Sequence, residues 1–178
     1  MEYPNLYKEQ TIEVLDLPFM ILKDDNGYMW EFPLRLTPPP SGWMIGDTVV
    51  IEPAGATRKG EDKAYYKVIN KTRKQEAGAG LNNPSDSIKK NLELSDLKED
   101  YANYDAEMRI TKIEGELFTL EDSSKWYVYN VVLNPGLWKV GDIVTVARAI
   151  EKSKNKICKM TNIKTGKVLM AVRKRAEE

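Results

Sequence analysis

Apolar residues recur along this chain in short alternating runs bounded by Gly, Pro, Asn and Asp. That pattern is the mark of strands and hairpins rather than of long helices. It predicts strands near 107–113, 116–121, 125–132, 143–150, 156–162 and 167–174 in the C-terminal half, and near 11–15, 19–23, 28–34, 48–52 and 64–70 in the N-terminal half. Asp25-Asn26-Gly27 and Asp122-Ser123-Ser124 sit where a tight turn joins the second strand to the third, and Thr165-Gly166 precedes the last strand. Alternation places Val49, Ile51, Tyr66 and Val68, and likewise Val144, Val146, Cys158 and Met160, on inward faces.

The two halves repeat one ordered set of landmarks. Residues 19–72 carry Leu22, Trp30, Trp43-x-x-Gly46-Asp47, Val49, Ile51 and a strand ending in Asn70. Residues 117–165 carry Leu120, Trp126, Trp138-x-x-Gly141-Asp142, Val144, Val146 and a strand ending in Asn162. Shared order at shared spacing implies two copies of one folding unit. Five or six short strands in each predict an all-β protein of two tandem small barrels, since closing the sheet removes exposed edges. A barrel of this size buries only about 60% of its unfolded surface, so packing on its twin or on a partner is expected. The expected domains are residues 1–75, a linker at 76–105, and residues 106–178. Residues 75–80 lack an apolar pattern and read as flexible connection. After them, Ser85 or Asp86 is placed to cap a short helix carrying Ile88 and Leu92, and Ser95 a second one carrying Leu97, Tyr101 and Tyr104. A strut between the barrels is the first reading of this segment, ahead of a spacer or a docking helix.

Composition narrows the chemistry. The 27 basic and 27 acidic residues cancel, which removes any whole-molecule argument for nucleic acid or an anionic membrane. Residues 1–105 nevertheless hold 13 basic and 18 acidic side chains, and residues 106–178 hold 14 and 9. With no histidine and one cysteine, Cys158, zinc sites of Cys/His type and Cys/His or Ser/His dyads are excluded within one chain. A lone thiol forms no internal disulfide, the N-terminus lacks signal-peptide character, and no apolar run approaches the ~20 residues of a membrane span, so the cytoplasm is the expected compartment. Carboxylate pairs at Asp24-Asp25, Glu61-Asp62 and Glu121-Asp122 fall in turns without calcium-loop spacing, and no phosphate-binding glycine pattern is present.

The repeated Trp-x-x-Gly-Asp is the sharpest motif. Gly supplies a positive φ, Asp accepts from backbone N–H groups ahead of a strand, and Trp closes a barrel end. Trp43, Gly46, Asp47, Trp138, Gly141 and Asp142 are therefore read as structural. The functional reading turns the tryptophans into stacking platforms, which requires exposed rings. Asn70 and Asn162 are read as ties of the following turn, the functional alternative being an amide that reads a base or sugar. Cys158 reads as a small buried hydrophobe. Catalysis would require carboxylates such as Asp47 and Asp142 to converge, and the inventory argues against an enzyme.

The functional hint is a basic concentration near the C-terminus, including Lys154, Lys156, Lys159, Lys164, Lys167, Arg173 and Arg175. With Trp126, Tyr127 and Tyr129 on an adjacent strand, these residues would form a charged face with stacking rings, as in single-strand-binding barrels. The bland alternative is a solvated barrel exterior whose lysines block edge pairing.

The second copy resembles a loose group of uncharacterised small bacterial β-barrel proteins. They share the order L-x-D-G-S-x-W-x-V, W-x-x-G-D-x-V-x-V and N-x-x-T-G-x-x-V. Here the corresponding strings are Leu120-Glu-Asp-Ser-Ser-Lys-Trp126-Tyr-Val128, Trp138-x-x-Gly141-Asp142-x-Val144-x-Val146 and Asn162-x-x-Thr165-Gly166-x-Val168, with Ser123 in place of the G and the last Val one residue sooner. The resemblance implies an SH3-like or Sm-like barrel, alternatively an OB-like one, and supplies no catalytic residue. The first copy departs from it, with Pro38-Pro39-Pro40 before Trp43 and no Thr-Gly turn, which leaves its last strand unassigned.

These readings describe a non-catalytic binding or assembly module acting through protein–protein contacts, self-association included. Binding of single-stranded DNA or RNA by the basic second barrel is the alternative. No cofactor, metal, membrane or small-molecule substrate is implied.

Overall fold

The computed structural model describes residues 3–24, 26–33, 40–55, 65–94, 101–129, 136–149 and 157–176. The chain divides into two compact units, Met1–Asn83 and Pro84–Glu178. The first contains β1 (Glu9–Asp16), β2 (Phe19–Leu22), β3 (Met29–Glu31), β4 (Thr48–Pro53), β5 (Tyr65–Asn70) and β6 (Gln75–Asn82). The second opens with α1 (Asp86–Glu93) and continues with β7 (Glu107–Glu114), β8 (Leu117–Leu120), β9 (Lys125–Val128), β10 (Ile143–Arg148), β11 (Ile157–Asn162) and β12 (Val168–Arg173).

All pairings are antiparallel. In the second unit they run β10-β11-β12-β9-β8-β7 and return from β7 to β10, giving a closed six-stranded barrel. In the first unit the order is β1-β2-β3-β6-β5-β4, and β1 also pairs with β4, so this sheet too returns to its first strand. The equivalence extends to single bonds. The Ile12 and Ile110 amides donate to the Asp47 and Asp142 carbonyls at 3.0 and 2.9 Å, and the Gly46 and Gly141 amides donate back to Ile12 and Ile110 at 2.8 Å each. Both first strands shift register at the same point, between Ile12 and Val14 and between Ile110 and Lys112. Such a bulge bends the strand and helps the sheet curl.

Each core forms on the inward face that alternation specifies. Val49, Ile51, Tyr66 and Val68 join Trp30 in one, and Val144, Val146, Cys158 and Met160 join Trp126 in the other. The Trp126 Nε1 donates to Ser124 Oγ at 2.9 Å. The Trp30 Nε1 finds no acceptor among the described residues, and its ring instead meets Tyr3 and Tyr66 edge to face at 4.9 and 5.0 Å.

Two expectations for residues 75–105 are corrected. The supposed flexible stretch at 75–80 lies in β6, paired with β5 along its length and with β3 at its end. Over 75–80 its apolar face is only Ala77 and Ala79, opposite Val68 and Tyr66 with Gly78 between them, before Leu81 packs on the core from the strand's end. Small residues facing large ones fill the core well but give almost no hydrophobic signal, and Gly and Ala are poor strand formers in isolation. Secondly, α1 is capped as expected, the Ser85 Oγ accepting from the Ile88 amide at 3.2 Å, but the linker drawn at 76–105 does not stand apart, since α1 belongs to the second unit and packs on its β12 and β9. The supposed second helix at 95–100 lies outside the described residues, as do Asp25, Pro38, Pro39 and the Glu61-Asp62 pair. Tyr101 and Tyr104 occupy a turn, and Tyr101 is buried in the second core.

Candidate functional site

The repeated motif builds the same clasp in both units. Asp47 Oδ2 accepts from the Met44 amide at 3.0 Å, from Asn70 Nδ2 at 2.8 Å and from Arg73 Nε at 2.9 Å. Asp142 Oδ2 accepts from the Lys139 amide at 2.9 Å and from Asn162 Nδ2 at 2.8 Å. The asparagine oxygens then tie the next turn: Asn70 Oδ1 takes the Arg73 amide at 2.9 Å, and Asn162 Oδ1 takes the Lys164 and Thr165 amides at 3.0 and 3.2 Å. Burial acts to raise the Asp47 pKa, but the bonds from Arg73, Asn70 and the Met44 amide outweigh it and hold the carboxyl below the ordinary range. Gly46 and Gly141 stand at φ of 92° and 98°, a conformation that favours glycine. Both asparagines are fully buried, and Trp43 and Trp138 are each only 6% exposed. Such rings cannot be stacking platforms, and such amides cannot read a base without unfolding the turn. Each of the two aspartates is consumed by its own turn.

A second constellation escaped the sequence reading. Tyr101 donates its hydroxyl to Asp122 Oδ2 at 2.6 Å, beside Asn103 Nδ2 at 2.9 Å, while Ser124 Oγ and its amide hold Asp122 Oδ1 at 2.6 and 3.0 Å. The Tyr101 ring meets Trp126 and Tyr104 edge to face at 5.0 and 5.2 Å. The first unit has the same plug: Tyr3 donates to Asp24 Oδ2 at 3.0 Å, also bonds Gln10, and meets Trp30 edge to face at 4.9 Å. The signal was present, since Tyr3-x-Asn5 and Tyr101-x-Asn103 are offset by the same interval as Leu22 and Leu120. Burial and the Asp122 carboxylate push the Tyr101 hydroxyl up to about 12. At Asp122 burial acts upward, but donors from Ser124, Tyr101 and Asn103 outweigh it and lower the pKa. At Asp24 burial wins over donors from Tyr28, Tyr3 and its own turn, and the pKa is raised.

The copies differ in what surrounds the plug. In the second, the Arg173 guanidinium lies over the Tyr101 ring and that of Arg148 over Tyr104, both 5.1 Å from the centroid. Register places Leu81 opposite Trp30 where Arg173 stands opposite Trp126. Two adjoining shallow cavities of about 350 and 370 Å³ flank this end of the second unit and share Ser123, Ser124 and Arg173.

Among the described residues, the expected face of lysines and stacking rings is not assembled. Trp126 and Tyr129 are 0% and 2% exposed, and Tyr127 is half-buried. Trp126 points inward because the register that buries Phe118 and Val128 buries it too. Lys164 and Lys167 are exposed at the β11–β12 turn and Lys159 is half-buried on β11, whereas Arg173 ends β12, about 20 Å from Lys167 at ~3.3 Å per residue. The Arg175 amide donates to Asn91 Oδ1 at 2.8 Å. Lys154 and Lys156 lie outside the described residues. Charge asymmetry also shrinks once the boundary falls at Asn83: residues 1–83 hold 10 basic and 12 acidic side chains, and residues 84–178 hold 17 and 15. Among the described residues no group of three or more His, Cys, Asp or Glu gathers to hold a metal ion, and no helix is long and apolar enough to cross a membrane.

No family model, no curated protein and no solved structure matches the chain.

Proposed function

We propose that the protein is a non-catalytic assembly module, built of two tandem copies of one small barrel, that acts in the cytoplasm through contacts with a second copy of itself. The observation that carries this reading is an apolar tip at the same motif position in both copies. Ile45 is 65% exposed and Val140 61%, each two residues after the buried Trp. Met44 adds to the first tip at 58%, while Leu137 and Ile163 are partly exposed in the second unit. A single exposed apolar residue means little, but a repeated one on a turn fixed by an Asp–Asn bond whose asparagine is buried is pre-organised, and pre-organisation lowers the entropy lost on association. Shared strand order, bulge position and clasp support the tandem-barrel part. In each unit the fourth strand lies beside the first of a three-strand meander, a Greek-key order that supports the OB-like alternative over the SH3-like or Sm-like one, with one strand more than the usual five. Kinship to the small bacterial barrel group rests on the motif residues alone. The non-catalytic part rests on Asp24, Asp47, Asp122 and Asp142, each held by donors from its own unit.

Sedimentation equilibrium tests it. The wild-type mass is expected to rise with concentration above the monomer's 20.3 kDa, and the Ile45→Ser/Val140→Ser variant to remain monomeric with an unchanged melting curve. A wild-type chain that stays monomeric throughout would overturn the self-association reading.

A further inference from the structure

The clearest difference between the copies is a row of outward positions crossing four strands. In the first unit, Val14 pairs with Ile21, Ile21 with Met29, and Met29 with Asn82. The three apolar members are buried, 4%, 1% and 1% exposed. In the second unit the same places are taken by Lys112, Thr119, Lys125 and Lys174. Lys112 pairs with Thr119 and Thr119 with Lys125, while the Lys174 amide donates to the Lys125 carbonyl at 2.7 Å. Directly paired residues of antiparallel strands share a face. Since Trp126, Phe118 and Leu120 point inward, this row points outward. Three interstrand steps of about 4.8 Å make it ~14 Å long. Its β12 end opens into the shallow cavity of about 350 Å³ formed by Ser123, Lys125, Arg173, Lys174 and Arg175.

Glu114 is paired with Lys112 at 2.7 Å at the far end of the row, and its carboxyl is held below the ordinary range first by that bond, with the fields of Lys125 and Lys174 adding to it. Asp122 is occupied by Tyr101, Asn103 and Ser124. The three lysines of the row outnumber the Glu114 carboxylate they share, so among the described residues the row keeps a net positive charge although the chain as a whole is neutral.

We propose that this row and its cavity form a track for the phosphodiester backbone of a nucleic-acid single strand, RNA or DNA. A single phosphate group needs no more than one or two of these cations. Three lysines spread along a ~14 Å row can meet about three phosphates of one strand. With Trp126 buried and the Tyr101 ring covered by Arg173, stacking contributes little, and the contact is made to the backbone without regard to sequence. The track shares Arg173 and Arg175 with the expected basic face but not its Lys159, Lys164 and Lys167, and it is independent of the apolar tips, so either proposal can fail alone.

Fluorescence anisotropy with labelled oligo(dT) and oligo(rU) of about 20 nucleotides tests it on the full chain. Three phosphate contacts give a salt slope of about −2, so affinity is expected to fall about 18-fold between 50 and 200 mM salt. The Lys125→Ala/Lys174→Ala variant, altered only at solvent-facing side chains, should bind more weakly at low salt and lose only about 3-fold over that range. Lys164→Ala/Lys167→Ala should retain the wild-type slope. No binding of either oligonucleotide at low salt would overturn the proposal. So would a slope unchanged by the Lys125/Lys174 substitutions but lost with Lys164/Lys167, or capture of phosphatidylserine vesicles without oligonucleotide binding.

Discussion

Replacing Tyr101 should unfold the second unit's end, and the size of the effect follows from its contacts. The ring is 5% exposed, sits edge to face on Trp126 and Tyr104, and is covered by Arg173. Truncating a buried aromatic to alanine costs about 3–5 kcal/mol, a figure that already contains most of the ring contacts. The hydroxyl adds a bond to an ionised carboxylate, worth about 1.5–3 kcal/mol when no other donor remains. Asp122 keeps Asn103 and both Ser124 donors, so the lower end applies. Tyr101→Phe is thus expected to cost about 1–2 kcal/mol and Tyr101→Ala about 5 kcal/mol, much of the stability of a small domain. Because the chain has two units, a single global unfolding curve is ambiguous. Native-state hydrogen exchange at the β9 and β12 amides, or a fluorine label on Trp126, reads the second unit directly. If Tyr101→Ala changes the exchange free energy there by under about 1 kcal/mol, residues 101–105 are a linker and the plug is wrong.

Acid should affect the two plugs in opposite senses. Asp122 and Asp47 have lowered pKa values, so they contribute stability that is present above the unfolded value of about 3.9 and is lost as pH falls through their folded values. Asp24 is raised, so its contribution is present below the unfolded value and is lost as pH rises through its folded value. Carboxyl NMR titration should find Asp24 protonating first on acidification; Asp122 protonating before it would contradict the assignment. At Gly141, φ of 98° with nothing within 4 Å of an added Cβ leaves only backbone strain, so Gly141→Ala should cost about 1–2 kcal/mol by denaturant titration. An unchanged midpoint would show that the turn relaxes freely.

Strand positions were legible wherever large residues alternated. The Val49/Ile51 and Val144/Val146 faces fall where their periodicity put them, because inward β-branched residues carry the signal directly. β6 was hidden since most of its core face is two alanines that fit against Val68 and Tyr66, a property of the partner strand, and its one large apolar residue, Leu81, stands near its end. The plug was hidden for a different reason: Tyr101 and Tyr104 at helical spacing also fit a turn, and apart from the repeated Tyr-x-Asn interval it is tertiary contact with Trp126 that distinguishes the two. At the candidate sites, the Trp-x-x-Gly-Asp turn could be read locally because its bonds run from Asp to its own turn amide. The outward row Lys112–Thr119–Lys125–Lys174 could not, because its members meet only across strand pairs whose register depends on a bulge.

The central claim is that the matched residues hold each unit together and leave its turn tip free for contact. Asn162 makes three hydrogen bonds and Asn70 two, with Asp47 keeping Arg73 when Asn70 is removed. At about 1 kcal/mol for each bond, native-state hydrogen exchange should show Asn162→Ala costing its own unit about 3 kcal/mol and Asn70→Ala about 2 kcal/mol. Losses below about 0.5 kcal/mol in both would contradict the claim and return the repeated motif to the list of possible binding residues.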